Sequence, residues 1–411
     1  MALSANKAAQ NYDIIIVGGG PVGLSLAAGL AHYLDQYKIA VCDRRKMVVP
    51  NDARSLALAA GVTRVYEMLG LWDEMAADAA PISHMRITDS EKNARARPLF
   101  LSFDGEVAPG RPFAHMVPFR TIMRTLLKAV KGKVDLLGEV EVSALKTGGA
   151  LASIILADGR ELKAPLVIAA DGSRSALREM AGIKTFGHDY NQAGLVTSIS
   201  HEKNHDQTAY EHFRPAGPFA SLPLAGKRSS LVWTQTMKEA QKLKNMNADE
   251  QAKQIEAAMG FCLGKVRIEE PIQSFPLRLC LARKFVVRRL ALLGDAAHTV
   301  HPITGQGLNL GLKDVAALLE VIVEAVRLGQ DPGMIDILEN YQRWRRFDVA
   351  LIAMTTDGLN RLFSNDVMLV RTLRDFGLGV VDRIPVVKKA LIRQAAGINI
   401  SDPKLLSGQD I

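Results

Sequence analysis

Residues 12–43 constrain the fold more tightly than any other stretch of the chain. Tyr12-Asp13-Ile14-Ile15-Ile16-Val17 is a β-branched run that predicts a buried parallel strand. It leads directly into Gly18-Gly19-Gly20-Pro21-Val22-Gly23, which fits GxGxxG at Gly18, Gly20 and Gly23. The first glycine allows a tight turn, the second lets backbone approach a pyrophosphate, and the third lets helix and strand pack closely. A helix from Val22 to about Tyr33 then points its free N–H groups and positive dipole end at an anion. A second strand, Lys38-Ile39-Ala40-Val41-Cys42, ends at Asp43, placed to bond a ribose hydroxyl. This pattern indicates a dinucleotide and leaves open which one.

The same stretch contains 18 uncharged residues, Ile14 to Ala31, which is the lower edge of a transmembrane length. Five glycines and Pro21 interrupt it, so it reads as strand, turn and helix. Met1 to Gln10 is polar and lacks the apolar core of a secretory signal. A cytoplasmic protein without a membrane span is expected. With 411 residues, about two domains are expected. Cys42, Cys262 and Cys280 are scattered, which argues against a disulfide framework or a cysteine zinc site. The net charge of +8 is too diffuse to indicate nucleic acid, and suits anionic cofactors or an acidic membrane surface.

Two distant segments narrow the cofactor. Leu166-Val167-Ile168-Ala169-Ala170-Asp171-Gly172-Ser173-Arg174-Ser175 is a strand ending in Asp-Gly, followed by a helix with Arg178. Arg289-Leu290-Ala291-Leu292-Leu293-Gly294-Asp295 is a strand ending in Gly-Asp. It continues through Pro302 and Gly305-Gln306-Gly307-Leu308-Asn309 into a helix whose Leu308, Leu312, Val315, Leu319, Ile322 and Val326 form one apolar stripe. Asp295 can accept hydrogen bonds from a polyol such as a ribityl chain. The amides at Gly307, Leu308 and Asn309 can stabilise negative charge on a reduced ring.

With these three segments the sequence resembles the class A FAD-dependent aromatic monooxygenases, and more closely their ubiquinone-biosynthesis hydroxylases. Leu293–Pro302 and Gly305–Asp314 are similar to that subgroup's signature. The likeness extends to Tyr210-Glu211-His212-Phe213, Ser230-Leu231-Val232-Trp233 and Leu362-Phe363-Ser364-Asn365-Asp366, so it spans nearly the whole chain. It implies that Gly18, Gly20, Gly23 and Asp43 bind the ADP half of FAD. Asp43 stands where relatives usually carry Glu. It further implies that Arg54 lies near the flavin, that Arg120 meets the FAD phosphates, and that Asp171 is close to the nucleotide. Asp295 holds the ribityl chain, while Pro302, Gly305, Gly307, Leu308 and Asn309 line the flavin ring. The implied reaction is hydroxylation of a prenylated phenol or quinone precursor. NADH or NADPH reduces the FAD and leaves, dioxygen gives a flavin hydroperoxide, and its distal oxygen passes to the ring. No second GxGxxG offers the nicotinamide a domain of its own.

The expected fold is α/β: a Rossmann-like FAD-binding domain with an inserted antiparallel substrate sheet and C-terminal helices. The flavin domain is discontinuous over 1–81, 116–180 and 286–354. The substrate domain takes 82–115 and 181–285, and a helical region takes 355–411. No catalytic residue is assigned. His301, Pro302 and Gly305 are flavin-face candidates, and for His301 a structural hydrogen bond is an equal alternative. His298 and His301 read as a loop pair beside the flavin, because no HExxH pattern or cysteine partner supports a metal. Thr208–Phe213, Phe219–Leu224 and Leu231–Thr236 read as sheet strands. They offer Tyr210, His212, Phe213, Phe219, Leu222 and Trp233 as lining candidates, half of them expected to be ordinary core.

From Arg361 to Ile411, 8 basic residues stand against 5 acidic ones. A helix from Pro385 to Gly397 carries Val387, Leu391 and Ala395 on one stripe and Lys389 and Arg393 on another, with Lys388 adjoining. Peripheral contact with the inner membrane surface or with other ubiquinone-biosynthesis proteins is one reading of it. Packing on its own domain is the other, and a homo-oligomer is left open. Two other functions compete with the leading one: a class A monooxygenase of a soluble phenol, and a non-catalytic flavin-binding scaffold.

Overall fold

The computed structural model describes residues 9–52, 54–89, 99–104, 106, 110–363 and 402–411. Its organising layer is a six-stranded sheet ordered Val286–Val287, Leu290–Leu292, Leu166–Ala169, Ile14–Val17, Ile39–Cys42, Asp135–Leu137. The last five run parallel and the first pairs antiparallel at the edge. Ile14, Ile15, Ile16, Leu166, Val167 and Ile168 are all fully buried, as expected where helices cover both faces of a parallel sheet. Three segments distant in sequence thus lie side by side, in register Ile16–Ile168–Ala291.

Two helices pack against this sheet and against each other. The Pro21–Tyr33 helix meets the Gln306–Arg327 helix at Gly29, where an added Cβ would lie 2.4 Å from Leu319. The Gln306–Arg327 helix is more enclosed than one apolar stripe suggests. Ala316, Ala317, Leu318 and Val323 are as fully buried as Leu312, Val315, Leu319 and Ile322. It runs through the interior, which is what burial on all sides means for a helix.

A nine-stranded sheet forms the second layer. Its order is His298–Thr299, Gln273–Ala282, Thr185–His201, Arg228–Thr236, Phe219–Leu224, Thr208–Phe213, His84–Asp89, Leu99–Asp104, with Val266–Ile268 pairing alongside Thr185–His201. Pairing is antiparallel throughout, except between Thr208–Phe213 and His84–Asp89. The Met237–Asn245 and Ala248–Met259 helices cover its outer face, burying Leu195, Phe219, Leu231 and Trp233 beneath them. A three-stranded sheet, Ser55–Ala59, Ala114–Pro118 and Ala80–Ile82, bridges the layers. A four-stranded sheet of Gln10–Asn11, Glu161–Ala164, Ala152–Leu156 and Val142–Lys146 flanks the first.

The chain then follows the Ile335–Phe363 helix. Residues 402–411 dock back on the first layer. Leu405 and Leu406 are buried, Tyr33 donates to Asp410 at 2.6 Å, and Arg327 donates to the Ile411 carbonyl at 2.6 Å. Ser364-Asn365-Asp366 and the expected Pro385–Gly397 helix, with Lys388, Lys389 and Arg393, lie outside the described residues, as does 90–98 within the 82–115 excursion. Among the described residues no helix is long and apolar enough to cross a membrane.

Candidate active site

The carboxyl ends of Ile14–Val17, Leu166–Ala169 and Leu290–Leu292 open together into one crevice, the usual ligand position in an open α/β sheet. Its glycines divide by the reason each is glycine. At Gly18, with φ of 123°, a Cβ would lie 2.1 Å from the Ala170 carbonyl oxygen. At Gly23 it would lie 2.0 Å from the Gly18 carbonyl oxygen. Packing alone demands these two. At Gly20 and Gly307 a Cβ would meet nothing within 4 Å, so open space lies in front of both. Both positions sit at helix N-termini that lack a side-chain cap and any acidic residue in the first turn. Gly311 packs against Val22 and Gly294, bringing the two helix starts together. Two uncapped positive dipole ends beside room for a ligand make a fitting cradle for the pyrophosphate and the electron-accepting ring of a flavin dinucleotide.

The carboxylates surround this cradle. Asp43 accepts from the Gly19 amide at 2.7 Å and from the Arg45 amide at 2.7 Å, which fixes it beside the glycine turn. Asp171 accepts from the Leu177 amide at 3.2 Å, while its Oδ1 is buried without a partner. Asp295 follows the Leu290–Leu292 strand and opens to solvent at the crevice mouth, with protein crowding its other sides. Desolvation raises its pKa, His298 opposing and Asp314 adding to the rise.

Arg54 closes another side. Its guanidinium is clamped on Asp52, with Nη2 to Oδ2 at 2.6 Å, and lies over the Phe119 and Phe275 rings at 5.3 and 5.4 Å. It therefore bridges the two layers. Burial would raise the Asp52 carboxyl, but Arg54 outweighs this and holds it below its ordinary value. Arg120 is exposed, one residue beyond Phe119, whose amide donates to the Arg54 carbonyl at 2.8 Å. Gly305 takes a left-handed turn with φ of 62° and starts the long helix behind the half-buried Pro302. Gly307 and Leu308 remain partly open, whereas Asn309 is buried. The Asn309 side chain accepts from the Ala59 amide at 2.9 Å and donates to the Ala57 carbonyl at 2.9 Å. It pins the helix start to the bridging sheet, leaving only its backbone for a ligand.

Both histidines are buried in the protein interior. His298 is buried and bonds Asp314 Oδ2 at 2.6 Å, and Arg345 Nε reaches Asp314 Oδ1 at 2.7 Å. Arg345 also bonds Asp348 at 2.7 Å. Sequence reasoning gives Asp314 no role; an acid in register with buried Leu310, Ala317 and Leu318 is the signal that points to it. His301 is fully buried, its Nε2 at 3.3 Å from Gln192 Oε1 and its ring edge-on to Tyr190. Desolvation lowers its pKa to about 4. Each ring is thus held by its own interior partner, Asp314 for His298 and Gln192 for His301.

Across from the crevice lies the inner face of the nine-stranded sheet. Strand register places Glu211, Ala220, Val232 and Val196 in one row on this face, and Leu222, Ser230 and Ser198 in the next. Val196, Leu222 and Val232 stay partly open although they sit on central strands, so a gap lies in front of them. Phe213 meets Ile303 on one side, and Leu222 and Ala209 join Ala57 and Met116 on another. Of the six lining candidates, Leu222 faces this gap, and Phe213 shares its face of the sheet but is buried against Ile303. Phe219 and Trp233 are outer-face core, and Tyr210 and His212 line a separate outer cavity of about 630 Å³.

The FAD binding domain family matches residues 11–353. The chain is 39% identical to ubiquinone hydroxylase UbiL of Rhodospirillum rubrum, covering 98% of this chain and 94% of that protein. It is 32% identical to 3-demethoxyubiquinol 3-hydroxylase of Escherichia coli, covering 95% and 99%. The fold matches p-nitrophenol 4-monooxygenase PnpA of Pseudomonas putida with a TM-score of 0.77 at 16% identity, covering 98% and 100%. The uncapped helix starts, the glycine turn and this kinship agree: the chain belongs to the FAD-binding-domain family of FAD-dependent monooxygenases, among the ubiquinone hydroxylases.

Proposed function

We propose that this enzyme hydroxylates the aromatic ring of a prenylated phenol or quinone precursor in ubiquinone biosynthesis, with NAD(P)H as reductant. The observation that carries the reading is the apolar inner sheet face opposite the crevice, where Val196, Leu222 and Val232 stay partly open on central strands. Bound FAD supplies the redox chemistry and the activation of dioxygen. The chain's own residues do the rest. Gly18, Gly20 and Gly23 admit the pyrophosphate, with Asp43 and Asp171 beside the nucleotide. Arg54 and Arg120 bring positive charge, and Asp295 meets the polyol. The amides of Gly307, Leu308 and Asn309 face developing negative charge. The apolar sheet face orients the ring and excludes water.

Segments 1–81, 116–180 and 286–354 hold the flavin in this reading, and 82–115 with 181–285 hold the substrate. The charge of +8 supports peripheral contact with an anionic membrane surface, where a prenylated ring is met. Two measurements test the function together. The FAD-loaded protein should oxidise NAD(P)H faster when given a prenylated phenol and yield the hydroxylated ring. A deletion strain should accumulate the unhydroxylated precursor by mass spectrometry. A normal quinone pool, with turnover only on a soluble phenol, would sink the proposal. A protein that shows no substrate-stimulated oxidation would be a scaffold.

A further inference from the structure

One group on the inner sheet face has no task in the scheme above. Glu211 sits mid-strand in Thr208–Phe213. Its side chain shares a face with Ala209, which packs with Ala80, Ile82 and Met116, and with Phe213, which packs against Ile303. Its neighbours across the sheet are Ile87 and Ala220. All of these are apolar. The Oε1 atom is buried and meets no hydrogen-bond donor, and no described residue forms an ion pair with the carboxyl. Burying an unpartnered carboxyl is expensive, so a fold keeps one where a ligand completes it.

We propose that Glu211 receives the ring hydroxyl of the aromatic substrate, first as hydrogen-bond acceptor and then as proton acceptor. The inference rests on the reading of the substrate as a phenol. When the ring attacks the transferred oxygen, the phenolic O–H bond breaks. Its electron pair stays on the phenol oxygen and feeds the ring, and the proton passes to the Glu211 carboxylate. The oxidant and reductant are those of the monooxygenase reaction itself. Desolvation alone raises the Glu211 pKa to about 8. Among the described residues, no titratable group on the flanking strands or in the Pro302–Thr304 turn acts on it. A carboxylate of that basicity is far better matched to a phenol, whose pKa is about 10, than an ordinary one.

The test compares 2-prenylphenol with its methyl ether on the FAD-loaded full-length enzyme, reading binding by flavin absorbance. Wild type should bind the phenol roughly ten- to a hundredfold tighter than the ether, as expected of a hydrogen bond to a charged group. The preference should grow as pH rises through about 8. Glu211→Gln should lose the pH dependence and lower kcat by about a hundredfold or more. Glu211→Asp should recover part of both, with FAD binding intact in each variant. Equal affinity for phenol and ether in wild type, or an unchanged pH dependence in Glu211→Gln, overturns the proposal. A wild type that discriminates the two ligands yet hydroxylates neither ring would overturn the proposed function and the proton-accepting step with it, leaving only the hydrogen bond to the ring hydroxyl standing.

Discussion

Two carboxylates, the fully buried Asp314 and the half-buried Glu211, meet opposite surroundings. Behind the flavin crevice, Asp314 accepts from His298, from Arg345 and from the Gly294 amide at 3.1 Å. Burial would raise its pKa, but the charges of His298 and Arg345 outweigh this and hold it below the ordinary value. On the inner sheet face, Glu211 has no such partners and rises to about 8. The first site is completed by the protein; the second is left for something else. Charge and hydrogen bonding decide the direction of each shift, because desolvation acts the same way on both.

The largest expected effect comes from breaking the completed side. Asp314→Asn removes the charge that His298 and one side of the buried Arg345 guanidinium are built around, leaves Arg345 only Asp348, and should cost about 3–5 kcal/mol, read by denaturant unfolding of the FAD-loaded protein. Glu211→Gln should act in the opposite direction. Its raised pKa means that the folded state binds more protons than the unfolded chain between pH 4.5 and about 8. Wild-type stability therefore falls as pH rises through that window. The glutamine variant should gain stability on the order of a few kcal/mol above the window and nothing below it. Thermal melts at acid and alkaline pH check this, and equal shifts at both would erase the contrast.

His301 should show a smaller effect of mirrored sign. Its folded pKa of about 4 lies below the ordinary 6.5 of an unperturbed histidine, so stability should fall as pH drops from 6.5 towards 4. His301→Gln should flatten that limb by roughly 1–3 kcal/mol, read as the acid midpoint of unfolding. The least effect belongs to the surface. Lys404 pairs with Glu324 at 2.6 Å and with Glu320 at 3.7 Å, and Lys404→Ala should cost under about 1 kcal/mol.

The sequence was most informative where one residue type alone can satisfy the geometry. Gly18 and Gly23 are dictated by backbone contacts, and the bounds of Thr208–Phe213 and Phe219–Leu224 follow from their alternation and flanking turns. Alternation does not reveal which face looks inward, so Phe219 and Glu211 could not be told apart by role. The Asp314–Arg345 contact joins two helices through a 31-residue separation, and no local pattern encodes it. Asp135–Leu137 is equally silent: three residues at a sheet edge, added parallel to Ile39–Cys42, carry too little periodicity to register.

The interleaving of the six-stranded sheet also bears on how the chain is made. Leu166–Ala169 sits between Ile14–Val17 and Leu290–Leu292, and the helix start that completes the crevice comes later still, at Gln306. A chain growing from its N-terminus therefore carries an open parallel edge while more than a hundred further residues are added. The inserted sheet is likewise unfinished until its edge strand His298–Thr299 arrives. Both layers close within the same short stretch, so assembly is dominated by contacts distant in sequence and is slow for that reason. Cofactor uptake then serves as a marker of completion, since no shorter intermediate presents both helix ends to a dinucleotide.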